Sequence, residues 1–356
     1  MKQLILAINP GSTSTKISVY DGKQEIFTKT LRHSNEELAP YKDVFSQLEF
    51  RKKTIKDALK ENNIDIKTLS VIVGRGGLVK PIPSGVYEVN DAMIEDIKKC
   101  VNGEHASNLG AIIANDIAKE VGNIKALIAD PVVVDELEPI ARVSGNALFE
   151  RVSIFHALNQ KAIAKLYASE HGKKYNELNL IVAHLGGGVS VGMHSKGKVI
   201  DVNDALRGEG PFSPERSGGL PLLPIVDACF SGKYTHGQVK KMISGEGGII
   251  SYLGTNSFQE VENRVDAGDK EATLISDAFA YQLCKEIGAM ATVVEGKVDA
   301  IIITGGIAYN KGLMDKVKQR VSFIAPVFIY PGEDEMGALA SNGLAVLNGS
   351  EEVKVY

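Results

Sequence analysis

Apolar and polar positions follow two different periods along the chain. Residues 4–8 are continuously apolar, Asn9-Pro10-Gly11 interrupts them, and then Ile17 and Val19 alternate with Lys16, Ser18 and Tyr20. Alternation with a period of two belongs to a half-buried strand, so LILAINPGSTSTKISVY predicts a strand, a tight turn and a second strand. Short β-branched runs bounded by Gly, Asp or Pro predict further strands over 69–73, 124–129, 180–184, 298–303 and 327–330. Amphipathic stretches over 108–121, 156–171, 272–295 and 310–321 predict helices between them. Strands and helices in alternation define an α/β protein with mixed sheets.

One similarity goes further than class. LILAINPGSTSTKISVYDGK and LIVAHLGGGVSVGMHSKGK share an apolar strand, a turn around Gly11 or Gly187, an alternating strand and a glycine hairpin at Gly22 or Gly197. VIVGRGG and IIITGGIA repeat a strand that opens into paired glycines. Two echoes in the same order imply two related halves facing each other across a cleft, with the cut at Asp130-Pro131.

Composition narrows the partners. The 356 residues are 44% hydrophobic and 24% charged, enough chain for two cores, and the net charge is −4 with both signs interspersed. No Lys/Arg block points to nucleic acid or an anionic membrane, so any anion must be met by local design. The first apolar run is too short for a secretory segment, and no eighteen-residue apolar stretch exists. Cys100, Cys229 and Cys284 are widely spaced and odd in number, which implies reduced thiols and a cytoplasmic setting.

That local design is found in the turns. A glycine- and serine-rich bend between strands exposes consecutive backbone N–H groups that can converge on one anion. Gly11, Ser12, Thr13 and Ser14 fit, as do Gly186, Gly187, Gly188 and Ser190, and a third turn lies at Gly305. A single such turn is more often a plain hairpin without a ligand; three in one chain point to phosphate. The stretch from Gly192 to Lys198 has P-loop spacing, but Val199 replaces the hydroxyl and strand alternation follows, so it reads as a hairpin.

NPGSTSTK, HLGGG, ERSGG, TGGIAYN and PGEDE together resemble the acetate kinase family of short-chain carboxylate kinases, within the actin, sugar-kinase and heat-shock ATPase superfamily. The resemblance runs from Asn9 to the end of the chain. It implies two duplicated actin-like (ribonuclease H-like) α/β domains with mixed sheets flanked by helices and an active site in the interdomain cleft. Residues 1–131 plus a returning 331–356 would form the acyl-substrate and phosphate domain, and 132–330 the nucleotide domain. Pro10, Thr13 and the DPVVVDE run from Asp130 favour the branch that phosphorylates butyrate; acetate, propionate or branched acids are the alternative substrates, and a nucleotide-binding switch without turnover is the alternative class.

A carboxylate is already an anion at neutral pH, so its phosphorylation needs cations and alignment more than a base. Arg75 ends an apolar strand between glycines, and Arg216 sits on a Pro/Gly-rich loop; by resemblance these two clamp the carboxylate and the transferring phosphoryl group. His156 and His184 each follow an apolar segment, where a histidine is as readily structural as catalytic. The resemblance assigns His156 to the γ-phosphoryl oxygens and His184 to the nucleotide cleft beside Gly186 to Gly188, with His105, Gly76, Gly77 and Phe155 lining the substrate pocket. Asp130 ends the strand KALIAD, either as a catalytic aspartate or as a turn-forming Asp before Pro131.

Mg²⁺ accompanying ATP or ADP is expected on Asn9 and Glu335, with Asp334 the other acid; both acids fit equally a helix's first turn. Lys16, Asn256, Gly305, Gly306, Ile307 and Asn310 complete the expected nucleotide and phosphate contacts, Asn310 being also a natural helix cap. Gly76 and Gly77 replace bulkier residues of acetate-specific relatives and are expected to leave room for extra methylenes. The family further implies a homo-oligomer.

Overall fold

The computed structural model describes residues 3–356, which divide into two compact units: the chain up to Val134 with Asp334–Tyr356, and Asp135–Glu333. In chain order the strands are β1 (Leu4–Pro10), β2 (Ser14–Asp21), β3 (Gln24–Arg32), β4 (Val71–Arg75), β5 (Val86–Glu88) and β6 (Lys125–Ala129). They continue as β7 (Asn179–Leu185), β8 (Val189–Ser195), β9 (Lys198–Val202), β10 (Ala300–Gly305), β11 (Val327–Pro331) and β12 (Val353–Lys354).

The first unit holds a sheet of order β12-β5-β6-β4-β1-β2-β3, and the second a sheet of order β11-β10-β7-β8-β9. The two share a plan. In each, three successive strands form an antiparallel meander, and the first of them pairs in parallel with a later strand, β4 or β10, that pairs in parallel with a still later one, β6 or β11. Even the register irregularity recurs, between Val19 and Tyr20 and between Met193 and His194. The duplication read from the sequence is therefore carried by topology.

Period-two alternation explains the layering. In the first unit Leu4, Leu6 and Ile8 point to one face, packed with Ile55 and Leu59 of the Leu48–Glu61 helix and Leu109 and Ile113 of the Asn108–Val121 helix. The opposite face receives the Glu335–Leu347 helix, whose Gly343 lies against Ile5 and Val73. In the second unit Ile181, Ala183 and Leu185 pack under the Lys270–Val293 and Lys311–Val321 helices. Leu180, Val182, Ala300 and Ile302 pack under the Ala157–Glu170 helix. Strands buried on both faces read as unbroken apolar runs, which is why β1 and β10 are so legible.

Gly192 lies within β8, and Lys196 and Gly197, with φ of 50° and 88°, turn β8 into β9, so the stretch with P-loop spacing is a hairpin. No helix among the described residues is long and apolar enough to cross a membrane.

Candidate functional site

The turn between β1 and β2 is closed by the Gly11 N–H donating to Ser14 O at 2.8 Å. The Gly11 amide is thereby committed within the turn, while Ser12 and Thr13 stay exposed at its tip. Behind the turn lies Arg51, fully buried, on the Leu48–Glu61 helix. Its guanidinium donates to Gly11 O (2.8 Å), Ser12 O (2.9 Å), Ser14 O (2.9 Å) and Thr15 Oγ1 (3.0 Å), and Gln47 Oε1 accepts from its Nε and Nη2. All these acceptors are neutral. Burial lowers the Arg51 pKa from its ordinary value, but an arginine stays protonated, so the turn has a positive charge built into its back. His33 braces the same bend, its Nε2 lying 2.9 Å from Thr15 Oγ1. Lys16 stands directly across the ladder from Asn9, exposed.

Asn9, Arg75 and Glu335 meet. Asn9 Nδ2 donates to Glu335 Oε2 at 2.5 Å, Arg75 Nη1 donates to Asn9 Oδ1 at 3.2 Å, and Arg75 Nη2 pairs with Glu335 Oε1 at 3.0 Å. Asp334 is spent differently: its Oδ1 accepts from Gly337 N–H at 2.8 Å and caps the Glu335–Leu347 helix. Of the two candidate acids, Glu335 is thus the one beside Asn9. No cluster of three His, Cys, Asp or Glu side chains among the described residues forms a metal cage. The hard oxygens of Asn9 and Glu335 fit a Mg²⁺ that keeps most of its ligands as water and phosphate.

Asp130 is buried with φ of +37°, a conformation that side chains other than Gly, Asn and Asp rarely adopt. Its Oδ1 accepts from Ser84 Oγ at 2.7 Å and Gly85 N–H at 2.9 Å. His105 is exposed, with Nδ1 accepting from Ser107 N–H at 3.2 Å. Gly76 and Gly77 require a correction. A Cβ at Gly76 would lie 2.6 Å from Pro131 Cβ, and one at Gly77 2.7 Å from Asn108 Cα. Their smallness admits neighbouring protein, so it is not room for extra methylenes.

In the second unit the β7–β8 turn carries its own guanidinium. Gly186 N–H donates to Gly188 O at 3.0 Å, and Ser213 Oγ donates to Gly187 O at 2.6 Å, tying the Arg216 loop to the bend. Arg216 lies on Gly188 so closely that a Cβ there would be 2.0 Å from Nη1. Nη1 donates to Ala205 O at 2.8 Å, while Nε is buried with no acceptor. Burial lowers the pKa of Arg216, with Glu215 and Asp204 opposing. A buried charged donor left partly unsatisfied beside a glycine turn is chemically suited to an anion.

The His156 and His184 rings stack, centroids 4.0 Å apart and planes at 20°. His184 Nδ1 lies 2.9 Å from Asn159 Oδ1, and its Nε2 lies 3.4 Å from Glu333 Oε2. His156 Nδ1 lies 2.8 Å from Ser190 Oγ. Phe155 is buried just before His156, in the second unit, whereas Gly76, Gly77 and His105 belong to the first. Asn256 donates to Glu215 Oε2 at 3.3 Å and so joins the Arg216 loop. Gly305 exchanges two backbone hydrogen bonds of 2.9 Å with Gly332; Gly306 and the buried Ile307 follow in a short 3₁₀ turn, and Asn310 Oδ1 caps the next helix through Leu313 N–H at 2.8 Å. Its side-chain oxygen is committed to that cap.

Sequence reasoning missed Arg51 and Glu333. Arg51 was legible in principle, because it falls in phase with Ile55, Ala58 and Leu59 on the buried stripe of its helix. Glu333 carried no signal beyond lying in PGEDE.

The duplicated meander with a glycine turn in each unit is a fold with known counterparts. The crystal structure of Porphyromonas gingivalis acetate kinase matches 97% of this chain and 100% of its own, with a TM-score of 0.80 at 18% identity, which defines the class as a duplicated actin-like α/β fold. Residues 145–325 match the acetokinase family. Over 352 residues, 99% of each chain, the sequence is 59% identical to butyrate kinase 1 of Clostridium acetobutylicum. It is 57% identical to butyrate kinase 2 of the same organism over 356 residues, all of both chains. This chain belongs to the acetokinase family.

Proposed function

We propose that the chain is a carboxylate kinase that phosphorylates butyrate with ATP, reversibly, giving butanoyl phosphate and ADP. The full-length identity to two butyrate kinases supports the acid. The observation that carries the chemistry is the pair of cationic turns. Arg51 behind Gly11 to Ser14 and Arg216 over Gly188 have no carboxylate within ion-pair distance among the described residues, and each sits on the first strand-to-strand turn of its unit.

A carboxylate oxygen of butyrate attacks the γ-phosphorus as the bond to the bridging oxygen of ADP breaks, and ADP departs with that oxygen. Charge spreads over three phosphoryl oxygens, so fixed donors do most of the work. Arg75 and Arg216 neutralise the approach of the two anions, and His156 donates to a γ-phosphoryl oxygen. Asp130 orients the acid side, and the amides of Ser12, Thr13, Gly187 and Gly188, with Lys16 and His184, meet the phosphates. Gly305 to Ile307 and Asn256 flank the nucleoside. Asn9 and Glu335 would hold Mg²⁺, which when bound neutralises charge on the phosphates.

Hydroxylamine trapping of the acyl phosphate, run with ATP and Mg²⁺ over acids of two to five carbons, tests the reading. Butyrate should give the highest kcat/KM, with acids one methylene shorter or longer lower by about tenfold to two-hundredfold, since one methylene is worth about 1–3 kcal/mol. A maximum at acetate or propionate overturns the butyrate assignment, and no acyl phosphate with any acid overturns the enzyme.

The chain works as a homo-oligomer. The Leu222–Phe230 helix, LLPIVDACF, buries none of its residues, with Leu222, Leu223 and Phe230 at 80%, 77% and 87% exposure and Asp227 its one charge. Such a surface resembles half of a core and fits a second copy. Light scattering should give a multiple of the single-chain mass that falls with Leu222→Glu plus Phe230→Glu; a single-chain mass for the unmodified protein ends this assignment. Three unpaired thiols, Cys100, Cys229 and Cys284, support a reducing, cytoplasmic setting.

A further inference from the structure

A continuous line of hydrogen-bonded polar side chains runs through the second unit. From Tyr175 it runs to His194 Nδ1 (2.8 Å), from His194 Nε2 to Gln160 Oε1 (2.9 Å), from Gln160 Nε2 to Ser190 Oγ (2.8 Å), and from Ser190 Oγ to His156 Nδ1 (2.8 Å). Gln160, Ser190 and His194 are fully buried. Burying polar groups in an α/β core is expensive unless each is paired, and here each is.

The direction of every bond can be worked out. Gln160 also contacts the Ser190 carbonyl at 3.1 Å, and a carbonyl only accepts, so the contacting atom is the amide nitrogen. Gln160 Oε1 therefore faces His194 and accepts from its Nε2–H. His194 is neutral: burial first, and the charge of buried Lys161 second, hold its pKa well below the ordinary value. Lys161 itself is paired with Glu136 at 2.6 Å. With its one proton on Nε2, His194 accepts at Nδ1 from the Tyr175 hydroxyl. Ser190 Oγ accepts from Gln160 Nε2–H, with the His156 backbone N–H directed at it from 3.5 Å. Its own O–H is left to donate to His156 Nδ1.

We propose that Ser190, Gln160 and His194 are positioning residues that fix His156 as the neutral tautomer protonated at Nε2. Donation then runs one way, from Tyr175 to His156, and ends on an imidazole that presents an N–H without carrying a charge. No proton has to travel. Gly192 belongs to the device: a Cβ there would lie 2.8 Å from Gln160 Oε1. The inference rests on the reading of His156 as donor to the transferring phosphoryl group, and deepens it.

The test is a two-bond ¹H–¹⁵N correlation spectrum of the full-length protein labelled at its seven histidines, with His156 assigned by loss of its signals in His156→Asn. The unmodified protein at neutral pH should show His156 protonated at Nε2 alone. Ser190→Ala should release it to a mixture, Ser190→Thr should restore it, and Gln160→Glu, which turns the serine hydroxyl toward the new carboxylate, should move the proton to Nδ1. Turnover should fall about threefold to tenfold in Ser190→Ala, the value of one hydrogen bond, with KM for ATP within twofold. An Nδ1–H or imidazolium form in the unmodified protein overturns the inference, as does Ser190→Ala with an unchanged tautomer and kcat. Full turnover in His156→Asn would instead remove the role given to His156 and leave the spectra to judge the relay.

Discussion

Replacing Arg51 with methionine keeps the unbranched apolar stem of the side chain and removes the guanidinium, a charge that touches no solvent. Two consequences separate in size. For the fold, the turn loses its donors to Gly11 O, Ser12 O, Ser14 O and Thr15 Oγ1. Ser12 lies at the exposed tip, where water can replace the guanidinium, Ser14 O keeps the Gly11 N–H, and Thr15 keeps His33. Burying a thioether also spares the desolvation of a cation. The net loss should be about 1–3 kcal/mol, from one or two acceptors left bare. For binding, the charge acts through the backbone of the turn: across roughly 6 Å at an effective dielectric of about 20, one charge pair is worth about 3 kcal/mol.

Arg51→Met should therefore bind a non-hydrolysable ATP analogue about a hundredfold more weakly, measured by calorimetry, while its urea midpoint falls by an amount that leaves it folded at 25 °C. Arg51→Lys should lie between, since an ammonium restores charge but not the fork of donors. If the methionine variant loses stability as expected and binds the analogue within threefold of the parent, Arg51 is a brace for the bend and its charge plays no part in recognition.

Gly188→Ala should cost little stability, because the atom met at 2.0 Å is the movable tip of Arg216, yet it should lower kcat/KM by about a hundredfold as that guanidinium is pushed off its turn; parent-like kinetics would detach Arg216 from the reaction. Acid should destabilise the second unit through His194, whose folded pKa is depressed. The unfolded chain binds the proton near pH 6.5 and the folded one does not, so the stability this histidine confers is complete above pH 6.5. Below that it falls by about 1.4 kcal/mol per pH unit until the folded pKa is reached. Urea titrations between pH 7 and 5 should show this slope in the parent and a shallower one in His194→Gln; equal slopes would mean that other groups govern acid unfolding.

How much of this was written plainly in the chain depends on which physical signal a residue leaves. Strands buried on both faces leave runs such as IIIT, and a duplicated meander leaves its turns twice, so the architecture and the two glycine bends were readable from pattern alone. Asn9, Arg75 and Glu335 were readable only as separate candidates. Glu335 lies 326 residues from Asn9, and nothing local in PGEDE distinguishes it from Asp334 until the helix cap claims one carboxylate and leaves the other beside Arg75.

Gly76 and Gly77 show the opposite failure. A small residue next to a candidate arginine suggests space, but Pro131 and Asn108, brought in from distant parts of the chain, fill it. Apart from Glu333, the groups that were missed share one property: each is a polar residue in phase with an apolar stripe. Arg51 aligns with Ile55 and Leu59, Gln160 with Ala164 and Ala168, and His194 stands in a strand of otherwise buried positions. Pattern reading treats such positions as noise because most of the energy of a helix face is apolar. Yet a core tolerates a polar group only when something pairs with it, so a polar residue in phase with the core marks a network. In this chain those positions lead to the cation behind the first turn and to the relay ending on His156.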